Sequence, residues 1–529
     1  MKIALLFGLP DIIGTAAAVN GTLTASSEGE FRLPQGGRRE IELATFTLKQ
    51  GSFPTMIQVK TADHPFSFFL RDVSSEFPIY IPEFRVAVIP ATDSRTFQQV
   101  ADAVAARNLL SDFDRFENEP EESYENACAK NRNQYCPTWL GFGRDMRMFR
   151  VGRQDVVNCW NDYLYFGSIT PVYHSFPHYY ANTLDAYKIL FEIGPGEHCR
   201  NPITRRLEGG ILPILHAVQD EADIQYHITS FTSLEKNLPS ERTIRGSDWQ
   251  AAYANSGCNA LTPEAREKIK KLLDREMNRR EQETVCAFRA EAVNIGKTPN
   301  YAFFKAPHVH GLPRDEGKPK FENGKSWFTA DNRVYAVAMI DGQPMPDEEM
   351  AILVPPGQKV VFDILVPHSP IDAKRAEKLF QWNFTRHLDA IRNYWRKKLT
   401  AAGKITVPET AINERIRAGL LHCDINTLGM TGTGPLLPDV GSYSPIGTES
   451  SPMIQIFDSF GWHRIAERCI DFFLVRQKEN GYIQNYSNYQ SETGPLLWTA
   501  GEHFRYTRDL DWLRRVFPQL KKAVEFLLE

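Results

Sequence analysis

Three carboxylates and four tyrosines fall in or at the ends of two long connecting loops near the end of the chain: Asp439, Tyr443 and Glu449 in the first, and Tyr482, Tyr486, Tyr489 and Glu492 in the second. Glycoside cleavage needs two carboxyl groups, one protonated as general acid and one ionised as base or nucleophile. It also needs aromatic faces, because sugar rings present apolar C–H patches. These residue types suit a saccharide cleft, with Asp439 and Glu449 as the acid/base candidates. Each carboxylate also has a plainer reading. Glu449 stands between Thr448 and Ser450 at a helix start, where the helix dipole favours a carboxylate that only caps. Glu492 carries the same ambiguity, and Asp439, after Pro438, suits a turn. The tyrosines equally suit loop packing.

Five helical runs frame these loops between Pro408 and Glu529. The first spans about Glu409 to Leu428, with Ile412, Ile416 and Leu420 on one face and Gly429 as its C-cap. After the loop TGTGPLLPDVGSYSPIGTE comes Ser451 to Phe460, apolar almost throughout, and Gly461 turns the chain tightly. His463 to Arg476 is amphipathic. The second loop, QKENGYIQNYSNYQSE, leads into Thr493 to Tyr506, and the short turn TRDLD leads into the amphipathic run Trp512 to Glu529. Long and short connections alternate, as in antiparallel helix pairs arranged in a ring. Both long loops therefore lie at one end and lead into inner helices.

At 529 residues, with 42% apolar and 24% charged residues, the chain can bury large cores, and about 150 residues per domain predicts about three domains. A net charge of -4 gives no footprint for nucleic acid. No apolar run approaches a membrane span. The opening MKIALLFGLPDIIGTAAAVNG reads either as a first β-strand or as a secretory signal interrupted by Pro10 and Asp11. Compartment stays open between secreted or periplasmic and cytoplasmic. Eight cysteines, at 128, 136, 159, 199, 258, 286, 423 and 469, form no CxxC pair, so buried thiols are expected, with a local Cys128–Cys136 disulfide as the alternative. No metal or cofactor is expected: His308 and His310 share a strand face without a nearby third ligand, and GFGRDM lacks the glycines of a phosphate loop. Asn20 and Asn383 match the glycosylation pattern.

Upstream, strand-like runs (IELATFTL, TMIQVKT, FRVAVI) and a helix at about Thr96 to Leu109, capped by Asp93 or Ser94, make a first β-rich region over 1–110. The acidic stretch 111–136 reads as a solvated connection. Short strands from 137 to 370 predict a large, mostly antiparallel β-sandwich, with an Asp341-Gly342 hairpin turn and a charged helical insertion near 262–280 at its surface. A linker helix within 371–403 carries Phe384, Leu388, Ile391, Trp395 and Leu399 on one face, and the helical region occupies 404–529.

A β-sandwich, the linker text YWRKKL, then VPETAINERIRAGL and ETGPLLWTAGEHFRYTRDLDWLRRVFPQLKKAVEFL together resemble the six-hairpin glycosidase superfamily. That superfamily includes α-rhamnosidases, glucoamylases, trehalases and disaccharide phosphorylases. The resemblance covers about Ala351 to Glu529 by text and the sandwich by architecture. Its most specific piece is Glu492-Thr493-Gly494 followed by Trp498, Glu502, His503 and Arg508-Asp509. It implies an (α/α)6 toroid behind an N-terminal β-sandwich, a carbohydrate substrate, and Glu492 holding substrate hydroxyls, with Tyr443, Tyr486, Tyr489 and Trp498 as further binding residues. His503 reads better as a satisfied buried histidine. Such a ring closes with twelve helices and the sequence shows five, so the chain is expected to be a C-terminally truncated fragment with a catalytic carboxylate beyond Glu529. The leading expectation is an inverting glycoside hydrolase. A phosphorylase and a non-catalytic carbohydrate-binding protein are the alternatives, and the sugar, linkage and oligomeric state stay open.

Overall fold

The computed structural model describes residues 1–34, 36–48, 54–62, 64–110, 112–118, 121, 123, 138–152, 167–173, 187–195, 203–255, 263–311, 317–329, 331–441, 444–486 and 489–529. Tyr443, the cysteines at 128, 136, 159, 199 and 258, and most of the acidic connection lie outside them.

The first apolar run is a strand, Lys2–Phe7, in the middle of a five-stranded antiparallel sheet. Its side chains alternate between two cores, which is why the run is continuous and not alternating. Ile3, Leu5 and Phe7 face a four-stranded sheet, while Ala4 and Leu6 face the Phe97–Ala105 helix through Phe97 and Val100. That helix is capped by Thr96, not by Asp93 or Ser94. Thr96 and Gln99 form a reciprocal capping box, whereas the Asp93 carboxylate is taken by Arg95.

Residues 138–367 build two larger antiparallel sheets, of six and nine strands among the described residues, packed over a shared core. The Thr284–Asn294 strand shows the layering. Cys286, Phe288, Ala290 and Ala292 point into the core between the sheets, while Val285 and Ala287 point the other way, onto helices. The expected Asp341-Gly342 turn joins Val334–Ile340 to Gln343–Pro344, with both residues at positive φ, 47° and 75°.

The Phe384–Thr400 helix lays Phe384, Leu388, Ile391 and Trp395 on that outer sheet face, capped by the Asn383 side chain, which accepts the Arg386 N–H at 2.9 Å. The charged insertion forms the helix Pro263–Met277 and is not confined to the surface, since Leu273 is buried in the core shared with the helices. Just before it, the short helix Trp249–Asn255 places Tyr253 buried 5.6 Å from Phe472, with the Arg476 guanidinium 4.1 Å above its ring, and so buttresses the helical region.

Five C-terminal helices follow: Thr410–Ile425, Gly447–Ser459, His463–Leu474, Thr493–Thr507 and Leu510–Leu528. Gly447–Ser459 packs against Thr410–Ile425, His463–Leu474 and Thr493–Thr507. The first helix stops at Asn426 and not at Gly429, because Thr427–Leu428 pairs as a short strand with Leu437–Pro438. The second begins at Gly447, four residues before the expected Ser451, and carries Pro452 inside it.

Candidate functional site

The N-terminal end of the Gly447–Ser459 helix gathers most of the candidate residues. Glu492 lies at the head of the neighbouring helix but does not cap it. Its fully buried carboxylate reaches across, with Oε2 accepting the Gly447 N–H at 2.9 Å and Oε1 accepting the N–H groups of Asn485 at 2.8 Å and Tyr486 at 2.7 Å. Burial pushes this carboxyl above its ordinary value despite the three donors. Both oxygens are thus engaged by backbone, and Glu492 ties a helix start to a loop instead of presenting itself to a substrate hydroxyl. Gly447 is required for that approach: a Cβ there would stand 2.8 Å from the Glu492 carbonyl oxygen.

Glu449 is exposed in the first turn of the same helix. Beside it, the Thr448 hydroxyl donates to the Tyr489 hydroxyl at 3.3 Å. Tyr486 and Tyr489 are 38% and 37% exposed, and so offer ring surface to a ligand. Asp439 sits beneath this end with no exposed surface. Its N–H donates to the Asn426 carbonyl, and Ser450 Oγ donates to the adjoining Pro438 carbonyl at 2.8 Å. As placed, it cannot touch a ligand in an open cleft. Tyr482 is half-buried and stacks on Phe526 at 4.7 Å, a packing role. Trp498 is exposed, along the Thr493–Thr507 helix and away from its start. Glu449, Tyr486, Tyr489 and Glu492 are therefore brought together, Asp439 lies below them, and Trp498 is apart.

Two of the buried ionic groups among the described residues lie in the helical region and escape a reading of the sequence. Asp424 is fully buried, with Arg144 Nη2 at 2.6 Å from Oδ1 and Lys398 Nζ on Oδ2. Burial opposes its ionisation, but Arg144 and Lys398 together hold its carboxyl below the ordinary value. Arg144, at φ 81°, also exchanges backbone hydrogen bonds with Thr427 and Gly429, joining the sheets to the helices. A separation of 280 residues leaves no local signal for this pair. The second group is Asp458, whose Oδ1 meets His463 Nδ1 at 2.9 Å and whose two oxygens each lie 3.0 Å from His503 Nδ1. The spacing of Asp458 and His463 across the Gly461 turn is the one local hint. His503 is buried edge-on to Trp512 and so is the satisfied histidine its position suggested. Among the described residues no group of three or more His, Cys, Asp or Glu side chains is placed to hold a metal ion, and no helix is long and apolar enough to cross a membrane.

No family model matches the chain, and no curated protein matches it in sequence. Among solved structures, it is similar to a bacterial glucoamylase complexed with acarbose, at 10% identity and a TM-score of 0.41 over 74% of this chain. The match spans 59% of that chain's length.

Proposed function

We propose that the chain belongs to a glycoside hydrolase whose cleft is formed by the loops meeting at the start of the Gly447–Ser459 helix. The carrying observation is the exposed Glu449 beside Tyr486 and the Thr448–Tyr489 hydroxyl pair, all set on a backbone that Glu492 pins. In this reading Glu449 is one member of the acid/base pair and the two tyrosines bear the sugar. The five helices are taken as part of an α/α ring, and Glu449 alone is assigned to the acid/base pair. The burial of Asp439 and Glu492 favours one other reading, a carbohydrate-binding protein without an acid/base pair.

Calorimetric titration of the chain with a panel of neutral oligosaccharides tests the site. Binding of at least one, weakened about tenfold by Tyr489→Ala and retained in Glu449→Gln, is the expected pattern. No binding by any oligosaccharide overturns both readings. Hydrolysis of a bound oligosaccharide that is lost in Glu449→Gln while binding is retained separates enzyme from binder.

A further inference from the structure

A cleft of about 430 Å³ opens elsewhere, between the sheets and the helices, walled by Arg144, Tyr394, Lys398, Asp424 and the stretch from Trp462 to Ile465. Its size lies in the range of small-molecule sites. None of Glu449, Tyr486, Tyr489 or Glu492 lines it, so nothing said of it rests on the glycan reading.

Its floor is ionic and unbalanced. Arg144 and Lys398, with side chains 8% and 14% exposed, share the single carboxylate of Asp424. Arg468, close behind, is also buried and donates to the carbonyls of Met430, Thr433 and Gly434. Burial and repulsion from Arg144 draw its guanidinium down to about 10. The other acids nearby are spoken for: Glu241 on the rim pairs with Lys397, and Asp458 with His463 and His503. Arg144, Lys398 and Arg468 outnumber the one carboxylate of Asp424 in this poorly solvated place, so an entering anion would meet a net positive charge. Tyr394, Trp462 and Ile465 give the same cleft an apolar wall, and His463 and Arg464 stand at its mouth with side chains 41% and 68% exposed.

We propose that this cleft binds a compact organic anion, a phosphate or carboxylate on a body no larger than a sugar ring, with the anionic group against Lys398 and Arg144 and the body against Tyr394 and Trp462. Titration calorimetry on the full chain tests it, with glucose 1-phosphate, glucuronate, inorganic phosphate and glucose as probes. One of the two sugar anions is expected to bind about tenfold or more tightly than both glucose and inorganic phosphate. Preference for the first assigns a phosphate site and for the second a carboxylate site. Lys398→Met removes a cation, and Ala401→Phe fills the cleft from an exposed lining position outside the buried core. Each is expected to weaken binding about tenfold. The proposal is overturned if neither sugar anion exceeds glucose, if inorganic phosphate binds as tightly as the sugar anions, or if Ala401→Phe leaves binding unchanged.

Discussion

The carboxylate of Glu492 accepts the backbone N–H of Gly447 at 2.9 Å, so a side chain at the head of one helix completes the first turn of another, 45 residues away in sequence. The same carboxylate holds the N–H groups of Asn485 and Tyr486. One buried group thus sets both the helix that carries Glu449 and the loop that carries the exposed tyrosines.

Glu492→Gln keeps the shape but turns an NH2 toward at least one of the three N–H donors. A loss of about 2 kcal/mol is expected from the broken charged hydrogen bond. Urea unfolding of the two proteins reads it; an unchanged midpoint would show that the tie carries no stability.

Two glycines in this region separate crowding from helix propensity. At Gly447 a Cβ meets Glu492 backbone atoms at 2.8 and 3.0 Å, which cannot move aside, so Gly447→Ala is expected to destabilise by about 2 kcal/mol or more. At Gly501, exposed inside the Thr493–Thr507 helix, nothing lies within 4 Å of the new carbon. Gly501→Ala is expected to stabilise by about 0.5–1 kcal/mol, and thermal melts of the pair should move in opposite directions.

Asp424→Asn leaves Arg144 and Lys398 facing a neutral amide at a fully buried position. Breaking a buried ion group from one side costs about 3–5 kcal/mol. Combining it with Lys398→Met should restore part of the loss, since the cation goes with its partner. A double variant as unstable as the sum of the two singles would show that the groups do not interact.

Histidine 368 gives the molecule an acid limit. Its ring is buried between Phe149 and Tyr173, its Nε2 bonds to the Val172 carbonyl at 2.9 Å, and burial draws its pKa from 6.5 down to about 3. Between those values the unfolded chain binds a proton that the folded one refuses. Stability therefore falls as pH drops below 6.5, by about 1.4 kcal/mol per pH unit for this group, and levels off near 3. His368→Gln still donates to Val172 and does not titrate. Between pH 6 and pH 5 it should lose about 1 kcal/mol less stability than the parent in urea titrations.

What is legible in the sequence is what local patterning specifies. The five C-terminal helices follow from apolar spacing with Gly461 between the second and third, and the Asp341-Gly342 turn from its two residues' tolerance of positive φ. The start of the second helix is not legible. Pro452 looks like a first-turn proline, yet the helix extends back to Gly447 because an acceptor from a distant segment satisfies its first N–H. The site divides along the same line. An exposed Glu449 in a first turn can be read from its neighbours, whereas the burial of Asp439 and Glu492 depends on which loop packs over which, and the Arg144–Asp424 pair depends on two domains meeting.

The distance along the chain between Arg144 and Asp424 also has a consequence during synthesis. A ribosome adding about 5–20 residues per second needs roughly 14 to 56 seconds to pass from one to the other. The last strand of the sheets ends at Pro367, so the sheets can be complete while Arg144 waits in water for its carboxylate only during the final part of that interval, roughly 3 to 11 seconds. The newborn protein thus passes through a stage in which its sheets are folded and its joint is a wet, positively charged edge, open to whatever anions the surroundings hold.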